Sequence, residues 1–87
     1  MANLLAVVGP ITTASRLEKK LSKRTNISAR IVHTPEELSS GGCSYSVRSG
    51  AENLPVIMET AEKYNINVKA YYIVEISGGK EVYHDIS

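Results

Sequence analysis

Cys43 is the only cysteine in the chain, and the residues around it decide what a lone thiol could do. Gly41 and Gly42 precede it and Ser44 follows. The thiolate, not the thiol, is the nucleophile, and successive backbone N–H groups in a glycine turn can form a concavity that favours an anion. A cysteine placed there would be an exposed, ionisable nucleophile at the rim of a sheet. The competing reading is a small buried hydrophobe, since free cysteine is among the most buried residue types. Strand phase supports that alternative, because Cys43 alternates in step with Tyr45 and Val47, which are expected to face the core. The residues by themselves leave both readings open. His33 is the nearest candidate to influence the thiol, and His84, close to the end of the chain, reads as exposed.

The stretch that must position Cys43 runs from Thr34 to Arg48. Thr34 followed by Glu37 has the spacing of a capping box, and Pro35 suits a first helical position, so a short helical turn is expected after Thr34. Ser39, Ser40, Gly41 and Gly42 stop it. From Cys43 onward, apolar and polar residues alternate as in a strand, ending at Ser49 and Gly50. Ala29, Ile31 and His33 alternate in the same way. If these two strands pair antiparallel across the loop, the simplest register sets His33 opposite Cys43 and Ile31 opposite Tyr45, and a one-residue slip would destroy the pairing.

The remaining elements are scaffold. Leu4 to Val8 is an unbroken apolar run, too short for a helix and closed by Gly9 and Pro10, as in a central strand buried on both faces. Ala14, Leu17 and Leu21 recur at helical spacing behind Thr12 or Thr13 as a cap, with Arg16, Lys19, Lys20, Lys23 and Arg24 on another arc. That basic arc is either an ordinary solvated face or a surface for an acidic partner. Leu54, Ile57, Met58 and Ala61 predict a second helix with Met58 as gap-filling core, and Asn65 as its stop with Ile66 packing back. Pro55 requires either that Asn53 caps a helix starting at Leu54 or that the first turn is distorted. Val68 to Ile76 reads as a strand, and Ser77-Gly78-Gly79-Lys80 as a tight hairpin into a short return strand. Tyr71 and Tyr72 must point to opposite faces.

Strand, helix, strand, strand, helix, strand and a terminal hairpin strand predict a single α+β domain over residues 1–87, a ferredoxin-like two-layer sandwich. Two helices would cover one face of the sheet. The other would be open, which suggests a homodimer. A formal charge of +1 advertises neither nucleic acid nor an acidic membrane surface. No apolar run approaches the roughly 20 residues of a membrane span, and the opening MANLLAVVG lacks the pattern of a signal peptide. One cysteine with no disulfide partner fits a reducing cytosol. One cysteine and two separated histidines do not make a metal site, no cofactor is expected, and no catalytic triad or phosphate loop is present.

Thr34, Pro35, Glu37, Leu38, Ser39, Ser40, Cys43 and Arg48 together resemble the signature of a small family of selenium/sulfur carrier protein-like chains, a Thr-Pro and a Glu/Leu/Ser run before a cysteine and an apolar strand ending in arginine. Ser44 stands where members often carry glycine. The resemblance implies a carrier rather than a turnover enzyme. Cys43 would hold sulfur or selenium as a persulfide or selenopersulfide and pass it between donor and acceptor proteins. His33, Gly41, Gly42 and Ser44 would support the thiolate, and Arg48, Arg16, Lys20 and Lys23 would dock partners. A module of another class, sensing a small ligand or driving oligomerisation with Cys43 inert, fits the same fold. A metallochaperone fits less well, because that chemistry wants two close thiolates.

Overall fold

A computed structural model describes residues 3–23, 27–39 and 44–86, and within them the chain is a small α+β globule of five antiparallel strands and two helices. The central strand β1 (Asn3–Gly9) carries the aliphatic run, and Leu4, Leu5 and Ala6 are completely buried. Such a strand needs cover on both faces and a neighbour on both edges. β3 (Tyr45–Gly50) and β4 (Ala70–Ser77) supply the edges, β2 (Ala29–His33) lies outside β3, and β5 (Lys80–Asp85) lies outside β4, in the order β2-β3-β1-β4-β5. β4 and β5 are joined by Gly78 and Gly79, both with positive φ, as a two-residue hairpin loop demands.

Helix α1 (Ile11–Ser22) and helix α2 (Leu54–Lys63) cover one face. Ala14, Leu17 and Leu21 meet Ile57, Ala61, Leu4, Ala6, Val8 and Val47 in the main core. Two details of the helices depart from expectation. Pro10 occupies the cap position of α1, so Thr12 and Thr13 fall inside its first turn and do not cap it. Met58 is 47% exposed, and the inward position one turn before Tyr64 is filled by Thr60, whose hydroxyl donates to the Val56 carbonyl at 2.7 Å. That bond satisfies the buried hydroxyl and makes threonine acceptable in an apolar layer.

The two ends of α2 are built differently. Residues 51–53 form a 3-10 turn before it, Pro55 sits in the first turn, and Asn53 holds the cap position while its side chain donates to Ser49 Oγ at 2.9 Å. Ser49 and Gly50 therefore stay within β3, paired with Leu4 and Asn3, and the strand breaks after them. At the other end Asn65 adopts φ 55°, the Asn65 N–H bonds to the Glu62 carbonyl at 3.2 Å and the Ile66 N–H to the Ala61 carbonyl at 2.8 Å. This left-handed stop returns Ile66 to the core, as its position after Asn65 suggests.

The other face of the sheet is not open at its centre. Leu5, Val7 and Val74 are buried there by Val32, Tyr72, Tyr83 and Leu38. Leu38 belongs to the loop after β2, so part of the segment leading to Cys43 lies across the face that was expected to be bare. The premise for pairing through an open face does not hold there. Above this second core, Arg48 Nη2 bonds Glu81 Oε2 at 2.7 Å, and Tyr83 donates to Glu81 Oε1 at 3.0 Å. These bonds, Arg48's first, hold the Glu81 carboxyl below the ordinary carboxylate range, while burial and then the Glu81 carboxylate raise the Tyr83 phenol.

The left-handed stop gives the fold a sharp test. Asn65→Val should lower unfolding free energy by about 1 kcal/mol or more, because a β-branched residue resists positive φ, whereas Asn65→Gly should leave it equal or slightly higher. Urea denaturation followed by circular dichroism reads the difference.

Candidate functional site

The loop that carries Cys43 leaves β2 after His33 and re-enters the sheet at Tyr45. Its neck is closed by one residue. The Thr34 N–H bonds to the Ser44 carbonyl at 2.9 Å, and Thr34 Oγ1 lies 2.9 Å from Ser44 Oγ and 2.6 Å from Ser46 Oγ. Ser46 is fully buried and Thr34 nearly so. Three hydroxyls therefore share hydrogens in a site with little water, where an unpaired group would be expensive. This arrangement replaces the expected capping box: Pro35 takes the cap position of a 3-10 turn at Glu36–Leu38, and the Thr34 side chain turns inward instead of back onto that turn.

The turn itself is held by Leu38 N–H on the Pro35 carbonyl at 2.9 Å and Ser39 N–H on the Glu36 carbonyl at 3.2 Å. Its apolar residue, Leu38, is the one that enters the second core. The loop thus has a hydrogen-bonded neck and an apolar anchor on the same face of the sheet. Cys43, Gly41, Gly42 and Ser40 lie outside the described residues.

The register differs from the simplest one. His33 pairs with Tyr45 and Ile31 with Val47, so the residue directly across from His33 is Tyr45 and not Cys43. The shift is two residues, which keeps every side chain on its face while changing every partner. The His33 and Tyr45 rings stack with centroids 4.8 Å apart and planes tilted by 35°. Such a contact contributes about 0.5–1.5 kcal/mol beyond buried area. It gives His33 a structural role at the neck.

One charge at this end of the sheet has no sequence signal. Tyr45 pairs with Gly9 across a bulge in β1, and a Cβ on Gly9 would lie 3.2 Å from Lys69 Nζ. The backbone of Lys69 is fixed by its own N–H on the Val7 carbonyl at 2.8 Å. An ammonium group therefore lies against the strand end that borders Tyr45, two residues after Cys43. Only the register of three strands brings Lys69 there.

The cations expected to dock partners lie on other parts of the fold. Arg48 spans the second core to Glu81, as described above. Arg16 Nη2 donates to the Tyr64 carbonyl at 2.9 Å and Lys20 Nζ stands 4.5 Å from the Tyr64 ring centroid, so both brace the C-terminal end of α2. Lys23 is exposed at the end of α1. His84 is half exposed and lies 3.5 Å from Glu75.

A small antiparallel sheet backed by two helices, with a short loop pinned by hydroxyls beside the only cysteine, defines a class of compact single-thiol domains. Within it the chain belongs to the family described as "Putative Se/S carrier protein-like", whose model matches residues 3–73. That span takes in β1, both helices, the loop and the start of β4. No curated protein matches the chain. Among the described residues no helix is long and apolar enough to cross a membrane.

The neck depends on Thr34 in a way that can be measured. Thr34→Val keeps shape but takes away the hydrogen-bond partner of the buried Ser46 hydroxyl, and should cost about 1–3 kcal/mol. Thr34→Ser should recover most of that. Equal stability of the valine variant in urea would show that the hydroxyl cluster is not what closes the loop.

Proposed function

We propose that this chain is a ferredoxin-like sulfur or selenium carrier in which Cys43 holds the cargo atom as a persulfide or selenopersulfide and hands it from one partner protein to another. Family membership over residues 3–73, with Cys43 as the only cysteine inside that span, is the observation that carries this reading. The strand order β2-β3-β1-β4, with both helices on one face, supports the ferredoxin-like assignment.

In loading, the Cys43 thiolate attacks the outer sulfur of a donor persulfide. A new S–S bond forms on Cys43, the donor's S–S bond breaks, and the donor cysteine leaves as its thiolate, so no net oxidation or reduction occurs. Unloading is the same exchange in reverse sense, with an acceptor nucleophile attacking the outer atom and Cys43 departing as thiolate. Such chemistry asks for accessibility and negative charge at sulfur, and it needs no deep substrate pocket. Lys69, Gly41, Gly42 and the Ser44 neighbourhood are the groups proposed to favour the anion, as an ammonium and backbone N–H donors do. His33 serves the loop through its contact with Tyr45. Partner docking falls to Lys23 and to the outward parts of Arg16 and Lys20, an exposed basic arc suited to an acidic partner surface. The donor and acceptor are proteins, and the cargo-bearing step requires no resident cofactor.

Reduced protein incubated with a cysteine desulfurase and cysteine, or selenocysteine, and then weighed intact tests the proposal. Wild type should gain one chalcogen atom that dithiothreitol removes, and Cys43→Ser should gain none. A wild-type chain that stays unmodified although its thiol alkylates readily would overturn it and favour a ligand-sensing or oligomerisation module.

A further inference from the structure

The sheet ends on β5, and among the described residues no strand lies beside its outer edge. The Ile86 N–H bonds to the Tyr71 carbonyl at 3.1 Å, which fixes the phase of the β4–β5 ladder. The backbone groups of Lys80, Val82 and His84 turn inward to β4, and those of Glu81 and Tyr83 turn outward. A row of outward N–H and C=O groups is a template for another strand. The side chains near it are uncovered as well. Five large apolar residues are exposed in the described chain, and three of them, Ile76, Val82 and Ile86, lie in this hairpin or directly after it. Val82 shares its face with Ile73, which packs on the main core, yet Val82 itself remains exposed.

A symmetric antiparallel pairing of two β5 strands has its two-fold axis normal to the sheet, so paired residues share a face and the axis must pass through a residue. Charge chooses which one. With the axis at Val82, Val82 meets Val82 of the second copy and Glu81 meets Tyr83, a phenol that already donates to Glu81 within one chain. Lys80 meets His84, whose imidazole stands 3.5 Å from the Glu75 carboxylate of its own chain. No carboxylate faces a carboxylate. Moving the axis to Glu81 opposes the two Glu81 carboxylates, and moving it to Tyr83 opposes Glu81 to Asp85 twice, both destabilising arrangements. The charges that guard this edge against indiscriminate pairing therefore leave one register open. That register also fits the ladder. The outward groups of Glu81 and Tyr83 meet as hydrogen-bonded pairs, and Val82 falls at a non-hydrogen-bonded position, where Cα atoms approach to about 4.5 Å.

We propose that β5 is a self-association edge, through which two copies of this chain join antiparallel with Val82 on the two-fold axis and form one continuous sheet. β2, from which the cysteine loop departs, lies at the opposite edge, so the pairing leaves that loop clear in both copies and does not rest on the carrier reading. The interface is small and the association correspondingly weak. Pairing of β5 with β2 of another copy would be head-to-tail and would grow without closing, and a strand from a different protein would leave the pure chain monomeric.

Sedimentation velocity of the full chain in dithiothreitol, from dilute solution up to about 1 mM, reads the association at concentrations where a small interface is populated. Wild type should pass from monomer to a species of twice the mass and no larger. Val82→Lys should stay monomeric over the same range with unchanged circular dichroism, because a lysine there faces Glu75 across the hairpin and its own like charge across the axis. Cross-linking without reductant reads the register. In a Cys43→Ser background, Val82→Cys should form disulfide-linked dimer at least about tenfold faster than Ile76→Cys, since pairing holds the two thiols at high effective concentration. Exposure alone predicts the reverse order, Ile76 being 69% exposed and Val82 36%. A wild-type chain that stays monomeric or grows beyond the dimer, a Val82→Lys variant that still dimerises, or cross-linking no faster at 82 than at 76 overturns the proposal.

Discussion

Thr34 joins the two ends of the loop in which the cysteine falls, through its backbone N–H and a hydroxyl that is nearly sealed from solvent. Thr34 bonds Ser44 through its backbone and reaches both Ser44 and Ser46 through Oγ1. Ser46 is sealed from solvent, so the hydroxyls have little alternative to one another. Because Ser44 directly follows Cys43, the covalent attachment of the thiol-bearing residue is fixed to a strand end while the glycines lie on its other side. The same loop sends Leu38 into the second core, which ties this neck to the burial of Leu5 and Val7 on the central strand. Polar closure and apolar anchoring thus act on one segment from one face.

The parts of this architecture that were legible in the sequence are those with a period. The aliphatic run of β1, the Ala14-Leu17-Leu21 stripe, the hairpin at Gly78-Gly79 and the Asn65 stop each follow from a local rule, and each is where that rule puts it. What could not be read was whatever depends on two segments at once. Thr34 with Glu37 satisfies the capping-box pattern, yet the threonine finds better partners in two serines ten and twelve residues away. The β2–β3 register slid by two because neither side-chain phase nor loop length distinguishes the alternatives when the connection is not a tight turn. Leu38, in a 3-10 turn with no apolar periodicity, gave no sign that it would cover the face opposite the helices. Met58, expected in the core, is exposed, and Thr60 is buried one turn before Tyr64, because a threonine that bonds its own helix can pass as a core residue.

Charge was the least legible feature. Arg16 and Lys20 look like a free basic face in a helical wheel, but they brace the Tyr64 end of α2, where positive groups also favour the helix dipole. Arg48, a candidate for partner contacts, is committed in part to Glu81, and Lys69 acquires a place beside Gly9 only through folding. The exposed basic residues are spread over the fold, with Lys19 and Lys23 on the outer side of α1, Arg30 on β2, Lys63 at the end of α2, Lys69 before β4 and Lys80 at the start of β5.

The account stands on Cys43 being an ionisable thiol that other macromolecules can reach in the folded chain. Its rate of reaction with iodoacetamide, measured against pH for native protein and for the urea-unfolded chain, tests this most directly. The account predicts native reaction at least as fast as that of the unfolded chain near neutral pH, with a thiolate that persists to lower pH than in the unfolded state. Native reaction limited to the rate of global unfolding at every pH would contradict it, since a thiol that reacts only when the fold opens cannot carry cargo between proteins.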